Sequence, residues 1–181
     1  PVELVALTAT VLEELVSLAL RKHIDLGMEA GTDKAWVMGS QALFSGMLMN
    51  LIDNALRYTP EHGKVTVSVA IEENREVVIA VADDGPGIPA EARERVFERF
   101  YRNAAPDQHG AGLGLAIVRE IVQAAQGTIA LGTDANGKGL TVTLRLPACA
   151  EGDCNRLRNP LSGKLARPSA DSSRLLKLDA K

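Results

Sequence analysis

The spacing of apolar and polar residues changes several times along the chain, and each change marks an element. Between residues 3 and 22, Leu4, Leu7, Val11, Leu15, Leu18 and Leu20 give an approximate helical face, and Arg21 and Lys22 suit a helix C-terminus. From His23 to Glu29 the apolar residues Ile24, Leu26 and Met28 alternate, which predicts a strand ended by Gly31. Lys34 to Met38 reads as a second short strand with Trp36 as its large side chain, and Gly39 and Ser40 supply a turn and an N-cap. A long helix follows. Phe44, Leu48, Leu51 and Ala55 recur at spacings of four, three and four, a core-facing stripe. Beside it run Met47, Asn50, Asn54 and Arg57, with Tyr58 four residues after Asn54. Two carboxamides, a guanidinium and a phenol therefore line the border of the buried face, where polar groups are costly unless something hydrogen-bonds to them. Pro60 stops the helix and Glu61-His62-Gly63 turns the chain.

Val65, Val67, Val69 and Ile71 alternate with Thr66, Ser68 and Ala70, the pattern of a half-buried strand. Glu72 to Arg75 is a polar hairpin turn. Val77 to Ala82 is nearly all apolar and reads as a central strand. It runs into Asp83-Asp84-Gly85-Pro86-Gly87-Ile88-Pro89. Glu91 to Phe97 predicts a short helix, and residues 103 to 110 lack periodicity and read as a mobile loop. The glycine-rich run from Gly110 opens a helix to about Ala125, with Leu115, Val118 and Val122 inward and Gly127 as C-cap. Thr128 to Gly132 and Leu140 to Leu146 are strands joined by a turn at Asn136-Gly137. Five or more strands and three main helices, each helix with one apolar face, predict an α/β sandwich with helices on one side. Residues 1–147 form the predicted domain. Residues 148–181 have few apolar anchors and read as a disordered tail, with Arg174 to Leu178 as a short amphipathic stretch inside it.

The 181 residues suffice for one domain with a sizeable core, and 46% hydrophobic with 24% charged is an ordinary globular balance. A net charge of −3 without a basic stripe gives no reason to expect nucleic acid. No apolar run reaches the roughly 20 residues of a membrane span. The first twenty residues carry Glu3, Glu13 and Glu14 and no basic start, so they do not read as a signal peptide. Cys149 and Cys154, with no second pair, are neither a zinc site nor a disulfide framework, and a reducing cytoplasmic setting is the simplest expectation.

Two glycine stretches carry candidate chemistry. A buried strand delivers Asp83 to its end, where Gly85 and Gly87 let the backbone turn tightly and approach a ligand. An ionised carboxylate there needs a donor; a purine amine is one, and a plain Asp-x-Gly turn is the alternative. Gly110-x-Gly112-x-Gly114 lies just before and inside a helix start, where backbone N–H groups cradle phosphate. It is neither a Walker A loop nor the dinucleotide fingerprint, whose spacings differ.

With the amide-bearing helix, these stretches resemble the ATP-binding catalytic domain of bacterial two-component sensor histidine kinases, within the superfamily that includes gyrase, the heat-shock chaperone of that type and MutL. Asn50 to Pro60 matches the N box, Asp83 to Pro89 the first glycine box, Val96 to Arg102 the F box, and Gly110 to Val118 the second glycine box. The resemblance covers roughly residues 3 to 147 and implies a mixed-sheet sandwich with a mobile ATP lid. It implies that Asn54 binds Mg²⁺, Asn50 supports metal and phosphates, Arg57 reaches a phosphate and Tyr58 packs on adenine. Asp83 would accept from the adenine amine, with Gly85, Gly87 and Ile88 shaping that pocket. Arg99 and Arg102 become candidates for phosphate or partner contacts, and Gly110, Gly112, Leu113, Gly114 and Leu115 for the hinge and phosphate side of the lid. Phe97 and Phe100 would anchor the lid base in the core.

The hydrolytic relatives carry a Glu four residues before the metal-binding Asn, where this chain has Asn50. A carboxamide cannot take a proton from water at neutral pH. The resemblance therefore implies phosphoryl transfer to a protein histidine, with an ATPase and a non-catalytic nucleotide-binding module as the other two readings. Asp53 lies about 100° round the helix from Asn54 and reads as structural. None of His23, His62 and His109 sits in an acceptor-box sequence, so the acceptor would lie on a separate histidine-bearing dimerisation domain. The implied whole is the cytoplasmic portion of an inner-membrane sensor, monomeric here and homodimeric in the parent, relaying phosphate to the receiver domain of a response regulator.

Overall fold

A computed structural model describes residues 1–72, 75–101, 112–133 and 138–150. The elements are β1 (Val2–Glu3), α1 (Leu4–Arg21), β2 (Asp25–Ala30), β3 (Trp36–Val37), α2 (Gln41–Tyr58), β4 (Lys64–Ile71), β5 (Glu76–Asp83), α3 (Gly114–Ala124), β6 (Thr128–Gly132) and β7 (Leu140–Pro147). A five-stranded sheet runs in the order β2-β4-β5-β7-β6, and β1 pairs with β3 beside it. β2 is parallel to β4 and the other neighbours are antiparallel, so the sheet is mixed. Val67 pairs with Val81, which pairs with Val142, and Val69, Ile79 and Leu144 form the next row. That register puts every buried side chain of the three central strands on one face. Each such Val or Leu contributes about 1.5–3 kcal/mol by leaving water.

The three helices cover that face. α2 packs against α1, α3, β4 and β5, so it is the middle of the helical layer. Phe44, Leu48, Leu51 and Ala55 are buried as their spacing predicts, and Met47, Ile52 and Leu56 join them. Ser40 caps α2 by accepting from the Leu43 N–H. Glu3 does the same for α1 with both carboxylate oxygens, on the N–H groups of Val5 and Ala6. The result is the two-layer α/β sandwich that the pattern predicts.

Several details differ from the sequence expectation. Leu20 is 67% exposed, because Ala19, four residues after Leu15, takes its place on the buried face of α1. Residues 91–97 form two 3-10 turns, Ala90–Ala92 and Arg95–Phe97, rather than one α-helix; a stretch this short closes i→i+3 bonds more readily than it nucleates an α-helix. α3 begins at Gly114, and the start expected at Gly110 lies outside the described residues, as does the Asn136-Gly137 turn. Gly127 is not the left-handed residue that ends α3. Gln126 takes that conformation at φ 59, and the Gly127 N–H bonds Val122 O at 2.8 Å. Glycine is needed at 127 because a Cβ would collide with Arg145 O on β7. Ala148 and Cys149, assigned to the tail by composition, hydrogen-bond to Arg75 O and Trp36 O at 2.9 Å each. The remainder of the expected tail, 151–181, lies outside the described residues.

Candidate functional site

The last two turns of α2 supply the amide line. Asn50 and Asn54 are half-buried beside the core stripe. Arg57 Nε lies 2.7 Å from Asp53 Oδ2, an i,i+4 ion pair along the helix. Tyr58 is 43% exposed. The end of this helix is held from outside. Lys22 Nζ donates to Leu56 O at 2.6 Å, Arg57 O at 3.0 Å and Thr59 O at 2.8 Å. A cation on the last carbonyls satisfies groups that a helix end leaves unpaired.

Asp83 ends β5 next to that helix end. A Cβ on buried Gly85 would lie 2.7 Å from Asp83 Oδ1 and 3.1 Å from Tyr58 O, so only glycine lets the turn pass between them. Asp83 Oδ1 accepts the Gly85 N–H at 2.8 Å. Burial raises the Asp83 carboxyl above its ordinary range; the Gly85 and Leu140 backbone donors oppose that, and neighbouring Asp84 adds to it. Gly87 sits at φ 72 with Gly139 O 2.6 Å from its would-be Cβ, and Gly139 itself presses on Asp83 O. The Asp83 carboxyl is thus held half-buried at the mouth of a turn whose glycines leave no room for a Cβ.

The N-terminus of α3 meets the other end of the amide line. A Cβ on Gly114 would lie 2.9 Å from Asn54 Nδ2 and 3.8 Å from Asn50 Oδ1. Leu113 stands at the N-cap position with no side-chain cap bond among the described residues. The first N–H groups of α3 therefore open beside two carboxamides, an arrangement that favours an anion. The carboxamide oxygens suit a hard cation such as Mg²⁺, which takes oxygen ligands. The donor set at one end and the acceptor carboxylate at the other fit a phosphate-bearing ligand with an amine at its far end.

The structure thus brings Asn50, Asn54, Tyr58, Asp83, Gly85 and Gly114 around the C-terminal half of α2, with Arg57 on the same helix. Gly87 and Ile88 continue the Asp83 turn; Ile88 is half-buried and its carbonyl accepts from Arg93 Nε at 3.2 Å. Leu113 and Leu115 flank Gly114, with Leu115 packed on the core. Gly112, at φ 67, accepts the Phe100 N–H and has no room for a Cβ beside Tyr101 O. Arg99 is engaged elsewhere, its Nη2 2.6 Å from Glu120 Oε1 on α3. Phe100 does not anchor the core: it is 73% exposed, its left-handed backbone turning the ring outward. Phe97 is half-buried beneath the Arg119 guanidinium. Arg102, Gly110 and His109 lie outside the described residues. An open depression of about 430 Å³ lined by Arg93, Glu94, Phe97, Arg119 and Leu131 shares no residue with this constellation. Sequence reasoning placed Lys22 at the end of its own helix but missed its hold on the end of α2, and it missed Gly139. The first had a visible signal, a lysine at a helix end; the second acts through a backbone contact that spacing does not reveal.

Residues 39–150 match the family described as histidine kinase-, DNA gyrase B-, and HSP90-like ATPase. The sensor protein kinase PmrB of Pseudomonas aeruginosa is 42% identical over 169 residues, which is 91% of this chain and 34% of that protein. The chain therefore spans about a third of that curated relative's length. Among solved structures, the mycobacterial sensor histidine kinase MprB superposes with a TM-score of 0.71 at 28% identity, covering 82% of this chain and 96% of that one. Full-length ShkA in complex with AMPPNP gives 0.73 at 29% identity, over 83% of this chain and 31% of that one.

Proposed function

The chain belongs to the family of histidine kinase-, DNA gyrase B- and HSP90-like ATPases, and from that premise we propose that it is the catalytic, ATP-binding portion of a sensor histidine kinase. In this reading Asp83 accepts the adenine amine within the turn shaped by Gly85, Gly87 and Ile88, and Tyr58 lies against the base. The uncapped N–H groups at Gly114, with Gly112, Leu113 and Leu115 placing them, receive the phosphates together with Arg57. Asn54 ligates Mg²⁺, and Asn50 supports metal and phosphate. Arg102 and Gly110 belong to the same reading as phosphate-side residues. The metal supplies charge neutralisation for phosphoryl transfer, and the chain supplies position.

One observation carries this reading. Gly114 presses on Asn54 while Gly85 presses between Asp83 and Tyr58, so both glycine turns close on the same end of one helix. The names of PmrB and MprB, and the AMPPNP on ShkA, support the kinase class. The phosphoryl acceptor is a histidine on a separate dimerisation domain, from which a response regulator receives the phosphate. Asn50 offers no base to prepare water, which sets this site apart from a hydrolytic one. Mixing the chain with Mg-ATP labelled at the γ-phosphate and the parent's purified histidine-bearing domain tests the proposal. Label is expected on that domain, with free phosphate released by the chain alone at well under ~1 s⁻¹, the low end of ordinary enzyme turnover. Binding without transfer, or faster release of phosphate, overturns it.

A further inference from the structure

Two turns on the surface bring together the side chains of His23, Glu61 and His62, the one group of three His, Cys, Asp or Glu residues among the described residues whose ligand atoms lie within 4.8 Å of one another. We propose that these three residues form a binding site for a borderline divalent metal of the zinc class, clamping the turn after α1 to the turn after α2. The inference uses none of the residues placed at the nucleotide site and does not depend on that reading.

The backbone fixes both turns before any metal arrives. His23 follows the C-cap of α1 at φ 53, its N–H bonded to Leu20 O at 3.1 Å. His62 stands at φ 65 in the turn between α2 and β4. The two turns are then tied to each other. The Asp25 N–H donates to Gly63 O at 2.9 Å and the His62 N–H to Lys22 O at 3.4 Å. Lys22, next to His23, also holds the last carbonyls of α2. The metal would thus close a frame whose two sides already hold a fixed separation.

The side chains suit the ion. His23 and His62 rings stack with centroids 5.2 Å apart and 26° between planes. His23 Nδ1 lies 3.1 Å from Glu61 Oε1. A tetrahedral zinc with bonds of about 2.0–2.2 Å separates its ligands by about 3.3–3.6 Å, so the His23–Glu61 pair, at 3.1 Å, needs to open by only roughly a few tenths of an ångström. Closing the remaining separations from within 4.8 Å needs side-chain rotation only, and all three residues are exposed and able to rotate. Two imidazoles and one carboxylate leave a fourth position for water. Imidazole favours Zn²⁺, Ni²⁺ and Cu²⁺ over Mg²⁺ and Ca²⁺, which take oxygen.

The test uses the full chain, stripped of metal and without nucleotide, titrated with zinc chloride and, in parallel, magnesium chloride. The comparison protein is the double variant His23→Asn and His62→Asn, because asparagine tolerates both left-handed positions. Unfolding temperature and calorimetric heat are read together with the imidazole resonances. The wild-type chain is expected to gain thermal stability with zinc and not with magnesium, to bind one equivalent that the variant lacks, and to show the His23 and His62 resonances shifting first. A Glu61→Gln chain is expected to bind zinc at least tenfold more weakly with its fold unchanged. Equal zinc responses in wild type and double variant, or no heat and no resonance shift in the wild type at millimolar zinc, overturn the site.

Discussion

At Asp83 a cost in stability coincides with the role proposed for it in recognising the base. Burial raises its carboxyl above the ordinary value of 3.8. A raised acid contributes its full stability below the unfolded value and loses it as pH rises through the folded one. At neutral pH the ionised carboxylate is therefore a cost to the nucleotide-free fold. Asp83→Asn keeps an oxygen for the Gly85 N–H and removes the charge. The variant without nucleotide is expected to melt no lower than wild type at pH 7, with the difference vanishing as pH falls below 3.8. Its affinity for Mg-ATP is expected to drop about 10- to 100-fold, since a hydrogen bond to a charged group is worth about 1.5–3 kcal/mol. Melting curves across pH, with and without Mg-ATP, check both halves; equal responses to Mg-ATP would overturn the proposed contact of Asp83 with adenine. The position was legible at this scale because a buried β-branched run delivers an Asp straight into Gly-Pro-Gly. The raised carboxyl was not, because its main cause is burial, which arises only once the fold has packed around residue 83.

At the scale of elements, the start of α3 approaches the amides of α2 at a residue with no Cβ. The N-terminus of α3 sits on Asn54 because residue 114 is glycine. In Gly114→Ala the new methyl displaces the end of a short side chain and meets no core atom within its nearest contacts. Residue 114 is the first of α3, so the interior preference for alanine of about 1 kcal/mol applies only in part, and the fold is expected to hold. The expected loss is selective: ATP affinity measured with Mg²⁺ falls several-fold, whereas affinity without Mg²⁺ changes less, because the displaced group is the carboxamide proposed to hold the metal. A uniform loss in both conditions would move the role of Asn54 from the metal to the phosphates. Periodicity read α1, α2, β4, β5 and β7 to within a few residues, because each buries one face and shows it in the spacing. It failed at β1, two residues long, and at residues 91–97, where 3-10 closure leaves no period to count. It placed the end of α3 to within a residue, and only the C-cap differed, with Gln126 taking the left-handed turn and Gly127 the close contact.

For the whole molecule, the site is built on the middle of the core rather than added to its rim. α2 touches both other helices and two central strands, and its last turns hold the amides, the Lys22 clamp and the seat of Gly85. A ligand that bridges Asn54 and Asp83 is therefore coupled to global unfolding and not to a loop alone. At a concentration of Mg-ATP about 100 times the dissociation constant, mass action adds about 2.7 kcal/mol, and for a chain of this size each kcal/mol raises the melting temperature by about 2–4 °C. A shift of roughly 5–11 °C follows from those two figures. Hydrogen exchange tells whether the stabilisation runs through this helix. Slower exchange is expected in α2 and at the end of β5, the two elements that meet at Tyr58 and Gly85, as well as at the start of α3. A thermal shift of that size with α2 amides unchanged would mean that nucleotide stabilises the chain from somewhere other than this helix, and the two glycine turns would then be architecture without a ligand.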